Sequence, residues 1–201
     1  MSLPSCRLFL TVPDKADSEA AAACFRAAVE TGDVAALRLR QRLTEEETAR
    51  MFSALMPIAH GHDVAVILAG DPELAGRYRI SGVEVGGLDR YKLARALLGT
   101  TAFVGAACGA SRHAAMELAE AGADYVGFSD PQADVADIIA WWAELFEVPC
   151  VALDPADAAQ AGELARRGAD FVRPDDAMWT SPDSARRIVG DTLRSIAEAR
   201  A

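Results

Sequence analysis

A five-residue pattern of this chain occurs twice, with one aromatic exchanged for another. Gly122-Ala123-Asp124-Tyr125-Val126 returns as Gly168-Ala169-Asp170-Phe171-Val172, and looser versions stand at Gly32-Asp33-Val34-Ala35 and Ser81-Gly82-Val83-Glu84-Val85. Each copy follows an Ala/Leu-rich stretch of helical spacing and leads into a short apolar run. A chain that repeats one helix-turn-strand unit can bury it only by stacking neighbouring units around a shared sheet. The best-defined copy lies within residues 99–130. Phe103, Val104 and 106–108 form an apolar strand, and Ser111 is a good N-cap. Ala115, Leu118 and Ala119 then follow at helical spacing, Gly122 fits a left-handed C′ position, and Tyr125–Phe128 is the next strand. Tight turns on both sides of a helix of about three turns make a right-handed βαβ unit with parallel strands.

The same reading along the chain yields eight strands: 8–12, 37–40, 64–68, 83–85, 103–108, 125–128, 150–153 and 171–173. Helices are expected over 16–30, from Thr44 to Gly61, from Asp71-Pro72-Glu73, and over 91–98, 111–121, 135–146 and 156–167. A last helix runs from Ser181-Pro182-Asp183 to Arg194 or beyond. Thr44-Glu45-Glu46-Glu47 reads as a capping box. Eight strands alternating with eight helices predict a compact (β/α)8 TIM barrel, a single domain over residues 1–201. A doubly wound open sheet is the runner-up; it lacks support because no glycine-rich first turn is present.

The chain has 201 residues, 51% of them hydrophobic, which is enough for one well-buried core. Its formal net charge of −10 disfavours nucleic acid and anionic membranes as partners and leaves small anions open, since these need only a local pocket. No apolar run reaches transmembrane length and the first ten residues lack an export signal, so a cytoplasmic location is expected. Cys6, Cys24, Cys108 and Cys150 are widely spaced and read as buried reduced thiols.

In such a barrel the chemistry sits just after the strands, at their C-terminal ends. There the chain resembles the thiamine phosphate synthase family, which includes thiazole tautomerase relatives. Leu8-Phe9-Leu10-Thr11 is similar to the family's opening strand. Arg38-Leu39-Arg40-Gln41-Arg42 stands where the family has Gln-Leu-Arg-x-Lys, and residues 66–71 where it has an apolar strand ending in Asn-Asp. Gly82-Val83-Glu84-Val85-Gly86-Gly87-Leu88-Asp89 resembles Gly-Val-His-Leu-Gly-Gln-x-Asp, and residues 121–128 nearly reproduce the family's own segment. The resemblance implies a barrel that joins a pyrimidine diphosphate to a thiazole phosphate. Cations after strand 2 would grip the pyrophosphate, and carboxylates after strands 3 and 4 would hold Mg²⁺.

Carried over position by position, Arg40 and Asp89 are kept and Arg42 replaces Lys. The Asn-Asp pair is Ala69-Gly70, which leaves Asp71 one residue late as the second Mg²⁺ candidate. The family's Ser position is Ala107, the tautomerase His falls at Gly109, the strand 6 loop is deleted so that Ser129-Asp130-Pro131 runs almost straight into the next helix, and a phosphate-binding Gly-Gly is Asp154-Pro155. These departures predict a weakened phosphate and Mg²⁺ site and make full synthase activity doubtful. Two other readings stay open. One is a non-catalytic small-molecule-binding protein; the other is a different barrel enzyme using a carboxylate rim of Glu84, Asp89, Asp130 and Asp154.

Strand alternation puts Arg38 and Arg40 on one face and Leu37 and Leu39 on the other. The leucines pack outward, so the arginines point into the barrel, where a guanidinium needs a partner. Glu84, at the family's inward His position, is the expected one. Arg38, Arg40, Arg42 and Glu84 are therefore the substrate-binding candidates, with Asp89 and Asp71 for the metal. No catalytic residue is assigned. Asp71-Pro72, Asp130-Pro131 and Asp154-Pro155 look like one device, an Asp cap followed by Pro at the first helical position. Trp141-Trp142 reads as packing or as support for a homodimer, and Trp179 as a candidate cover for the barrel mouth. Cys108 is the one thiol near the expected site. The expected partner is a small-molecule ligand, with phosphorylated substrates implied by the resemblance.

Overall fold

The repeated Gly-Ala-Asp segments owe their sequence to the way neighbouring strands start. In the computed structural model, which describes residues 6–13, 16–39, 44–130, 135–153 and 155–200, Gly122 and Gly168 have φ of 95° and 107°. That left-handed region suits a residue without a Cβ. The Asp two residues on then reaches back to the preceding strand. Asp124 Oδ2 accepts the Val104 backbone N–H at 2.6 Å, and Asp170 Oδ2 accepts that of Cys150 at 2.8 Å. In the looser copies, the Ser81 hydroxyl accepts the Val66 N–H and the Asp33 carbonyl accepts that of Leu8. One polar group per pair of units thus satisfies an amide in the first two residues of each odd-numbered strand.

The strands are β1 (Arg7–Val12), β2 (Val34–Leu39), β3 (Ala65–Ala69), β4 (Gly82–Val85), β5 (Phe103–Gly109), β6 (Val126–Phe128), β7 (Cys150–Ala152) and β8 (Phe171–Val172). Each pairs in parallel with the next, and β8 pairs with β1, closing an eight-stranded barrel. The helices between them are α1 (Ser18–Thr31), α2 (Glu45–Gly61), α3 (Pro72–Tyr78), α4 (Leu88–Leu98), α5 (Arg112–Glu120), α6 (Ala136–Leu145), α7 (Ala158–Arg166) and α8 (Pro182–Ala199). This is the expected TIM barrel, and it differs from the sequence reading mainly at element ends. A 3₁₀ turn over Asp176–Thr180, which no pattern announced, follows β8.

Caps account for the helix starts. The Thr44/Glu47 capping box forms as expected, and Asp71 caps α3 by accepting the Leu74 N–H at 2.9 Å. The Asp-Pro device does not extend further. Helix α6 begins after Val135, which has no side-chain acceptor, so Asp130 is not its cap. Helix α7 is capped by Asp157, which accepts from Gln160 N while the Gln160 side chain accepts from Ala156 N. Asp157-x-x-Gln160 has the spacing of a reciprocal box, which satisfies two amides at once where an Asp-Pro start satisfies one. Asp154 lies outside the described residues.

Alternation divides the apolar side chains into two cores. Outward residues such as Leu8, Leu37, Val83, Val104 and Val126 pack under the helices, while Phe9, Ala36, Ile67, Tyr125, Val151 and Leu153 fill the barrel. Trp142 belongs to the outer layer: it is buried, stacks on Phe146 at 4.1 Å and donates to the Val148 carbonyl. Trp141 is half-buried beneath the Arg112 guanidinium at 4.7 Å. Trp179, in the 3₁₀ turn after β8, is partly buried and packs against the outer core. Among the described residues no helix is long and apolar enough to cross a membrane.

Candidate functional site

The polar centre of the barrel is built from three strands. Arg38, on the inward face of β2, donates from Nε to Glu84 Oε1 at 2.6 Å. Glu84, on β4, has a fully buried side chain, against 19% exposure for Arg38. Its second oxygen accepts the Tyr125 hydroxyl at 3.2 Å. The carboxylate is thus held from both sides, as a buried charge must be to offset its desolvation. Burial, followed by the neighbouring Glu84 charge, pushes the Tyr125 hydroxyl well above its ordinary value, so it stays protonated and remains a donor. Tyr125 fits because β5 carries Gly105 opposite it; a Cβ there would meet the Tyr125 ring at 2.0 Å.

The internal Arg38–Glu84 pair is therefore where alternation put it. Glu84 spends both oxygens on protein donors, so it orients Arg38 and does not belong to an exposed carboxylate rim. The sequence pattern marks Tyr125 only as the start of a strand. Its role was hidden because the partner lies 41 positions away in sequence.

Above this bridge, toward the strand C-termini, are two further polar residues that the motif reading passed over. Thr11 pairs in register with Arg38, is 1% exposed, and its hydroxyl has no hydrogen-bond partner among the described residues. Arg173 follows β8 on the inward face shared with Phe171; its side chain is 13% exposed and its guanidinium lies 3.8 Å from Asp176. A signal for both existed in the period-two rule, since Phe9/Thr11 and Phe171/Arg173 are i, i+2 pairs.

The metal candidates sit at neighbouring strand ends. Asp71 begins α3 and gives one oxygen to its cap; Asp89 is exposed in the first turn of α4. Two carboxylates on adjacent βα connections supply the hard oxygen donors that Mg²⁺ takes, usually one or two of them with substrate phosphate completing the shell. Among the described residues, no three His, Cys, Asp or Glu side chains gather into a metal-binding group. Ala69 and Gly70 close β3, and the Gly70 N–H is already donated to the Glu84 carbonyl at 2.7 Å. Arg40 and Arg42 lie outside the described residues.

Cys108 has none of the features of a nucleophile. It is buried, its Sγ contacts the Ala106 carbonyl, and burial with the Glu84 charge pushes its thiol up to about 12. All four cysteines are free and buried, as expected.

The comparisons agree with this architecture. The family described as thiamine monophosphate synthase matches residues 8–173. The thiamine-phosphate synthase of Rhodospirillum centenum is 38% identical over 96% of this chain and 98% of its own length. That of Erythrobacter litoralis is 36% identical over 77% of this chain and 78% of its own. Among solved structures, thiamine phosphate pyrophosphorylase from Pyrococcus furiosus superposes with a TM-score of 0.82 over 98% of both chains at 19% identity, a likeness of fold. With the barrel, its strand-end motifs and full-length relatives in agreement, the chain belongs to the thiamine monophosphate synthase family.

Proposed function

We propose that this barrel takes the substrates of its family, a pyrimidine diphosphate and a thiazole phosphate, at its C-terminal mouth and joins them slowly, with loss of pyrophosphate. The observation that supports slow turnover is the end of β3. Ala69-Gly70 replaces a pair of side-chain donors, and the carboxylate that follows, Asp71, already caps α3. Asp89 is the residue that would hold Mg²⁺, with Asp71, the cap of α3, as the second carboxylate that the resemblance points to; the ion would supply charge neutralisation to the departing pyrophosphate.

The chain's own residues do the rest. Arg38 is held by Glu84, which Tyr125 holds in turn, and Arg38 pairs in register with Thr11 on the neighbouring strand. Arg40 and Arg42 add the charges that the resemblance assigns to phosphate. A fixed guanidinium loses less freedom on binding an anion than a mobile one and costs no rearrangement as charge develops. Losing part of a preorganised anion and metal shell costs about a hundredfold in rate, or roughly 2.7 kcal/mol of barrier.

The test is purified protein with both substrates across a Mg²⁺ titration, run beside the Rhodospirillum centenum relative. The reading expects Mg²⁺-dependent formation of thiamine phosphate at a kcat/KM at least tenfold below the relative's, and its loss in Asp89→Asn. Turnover equal to the relative's would show that the mouth is not weakened. Saturable binding of the thiazole phosphate with no product would instead favour the non-catalytic reading.

A further inference from the structure

The lower half of the barrel, at the N-terminal ends of the strands, is incompletely filled. Small residues, Ala36 on β2 and Ala65 on β3, face inward where bulky branched side chains ordinarily fill such a barrel. The result is a cavity of about 240 Å³. A cavity of about 150 Å³ with aliphatic and aromatic walls suffices to take up benzene. Its lining is mostly apolar, with Ile67, Val151 and four aromatic residues, Phe9, Phe103, Tyr125 and Phe171, and it opens to solvent. Phe103 stands at the rim and is 49% exposed, a large ring left in solvent beside an apolar void.

The charges at the rim do not call for an ion. Arg7 is paired with Asp33 at 2.7 and 2.8 Å, and Asp124 with Arg95 at 2.6 Å. A charged guest would lose its hydration without gaining a partner, so the cavity selects neutral molecules. The four rings favour a flat guest that meets them edge to face, as Phe9 and Tyr125 already meet each other at 5.6 Å.

We propose that this cavity is a second ligand site, at the end of the barrel opposite the synthase-like mouth, and that it takes an uncharged aromatic molecule of one or two fused rings. Tyr125 belongs to both compartments: its ring lines the cavity and its hydroxyl holds Glu84, which holds Arg38. A guest packed on that ring rests against the residue that anchors the polar bridge.

Indole is the probe, and calorimetric titration together with amide NMR of the intact chain is the readout. The expected result is saturable 1:1 binding, with the shifted amides centred on Ala36, Ala65, Val151 and Phe171. Ala65→Phe and Ala36→Phe each place a ring in the void and should weaken binding at least tenfold in whichever variant keeps the wild-type circular dichroism. The wild-type NMR map decides the matter if neither variant folds. Absence of saturable binding, shifts confined to the C-terminal mouth, or undiminished affinity in a folded filling variant would overturn the proposal.

Discussion

Removing the Glu84 carboxylate is the sharpest test of the barrel's interior. Glu84→Ala leaves the Arg38 guanidinium without its 2.6 Å partner and the Tyr125 hydroxyl without its 3.2 Å acceptor, both inside the barrel. Breaking a buried ion pair from one side costs about 3–5 kcal/mol, and orphaning a buried hydroxyl about 1–3 kcal/mol. The two are not additive, and the 19% exposure of Arg38 lets water recover part of the first. The expected net loss is about 4 kcal/mol, which for a chain of this size lowers Tm by roughly 8–16 °C. Glu84→Gln keeps the shape and one acceptor and should lose about half as much. The discriminating variant is the double change Arg38→Met with Glu84→Met. It removes both charges and replaces them with flexible apolar side chains, so it should recover the ion-pair part of the loss, while the Tyr125 hydroxyl stays without its Glu84 acceptor. Urea unfolding followed by circular dichroism, with equal m-values across the set, measures all three. A Glu84→Ala variant within about 1 kcal/mol of the parent, or a double variant less stable than the single one, would refute the bridge as described.

Other consequences are open to the same measurement. Burial, above all, pushes the Cys6, Cys108 and Cys150 thiols from 9.0 up to about 12. Thiols of the unfolded chain lose their protons near 9.0, so the folded state holds more protons above that pH and its stability falls as pH rises. Three such groups lower it by roughly 4 kcal/mol between pH 8 and 10, and a urea midpoint that stays level over that range would contradict their burial. Asp124→Ala strips the acceptor from Val104 N and the partner from Arg95 and should cost about 2–3 kcal/mol, after allowing for partial exposure. Asp170→Ala, with one amide at stake, should cost less; equal losses would detach the repeated motif from this role. Asp157→Ala removes the α7 cap, for an expected loss of about 1 kcal/mol read as a shift of a few degrees in Tm.

The barrel could be read from the sequence because its signals are local. A capping box, a glycine at a helix end and an apolar run each lie within a few residues, and the eightfold recurrence of strand and helix leaves few other folds. Strand alternation also reached the Arg38–Glu84 pair, since facing inward is a property of position along a strand. Three things were out of reach. Tyr125's hydroxyl bond depends on a glycine twenty residues earlier and a carboxylate on another strand. The role of Asp124 as an acceptor for β5 requires the parallel register, whereas its own sequence suggested only a polar turn. The over-extension of the Asp-Pro pattern came from weighing a dipeptide above Asp157-x-x-Gln160, which can satisfy two amides at once.

The central bridge also bears on what the mouth is for. Relative to the family pattern, Arg38 stands for Gln and Glu84 for His, two changes on strands that meet inside the barrel. Either alone would bury an uncompensated charge; together they are neutral and hydrogen-bonded. Stability does not require the pair, because apolar side chains of similar volume commonly serve as well or better. What the charged pair adds is a guanidinium held at a fixed place inside the barrel, on a residue in register with Thr11, whose hydroxyl has no partner among the described residues. An anionic substrate bound at the mouth, as proposed above, would meet a guanidinium that is already fixed.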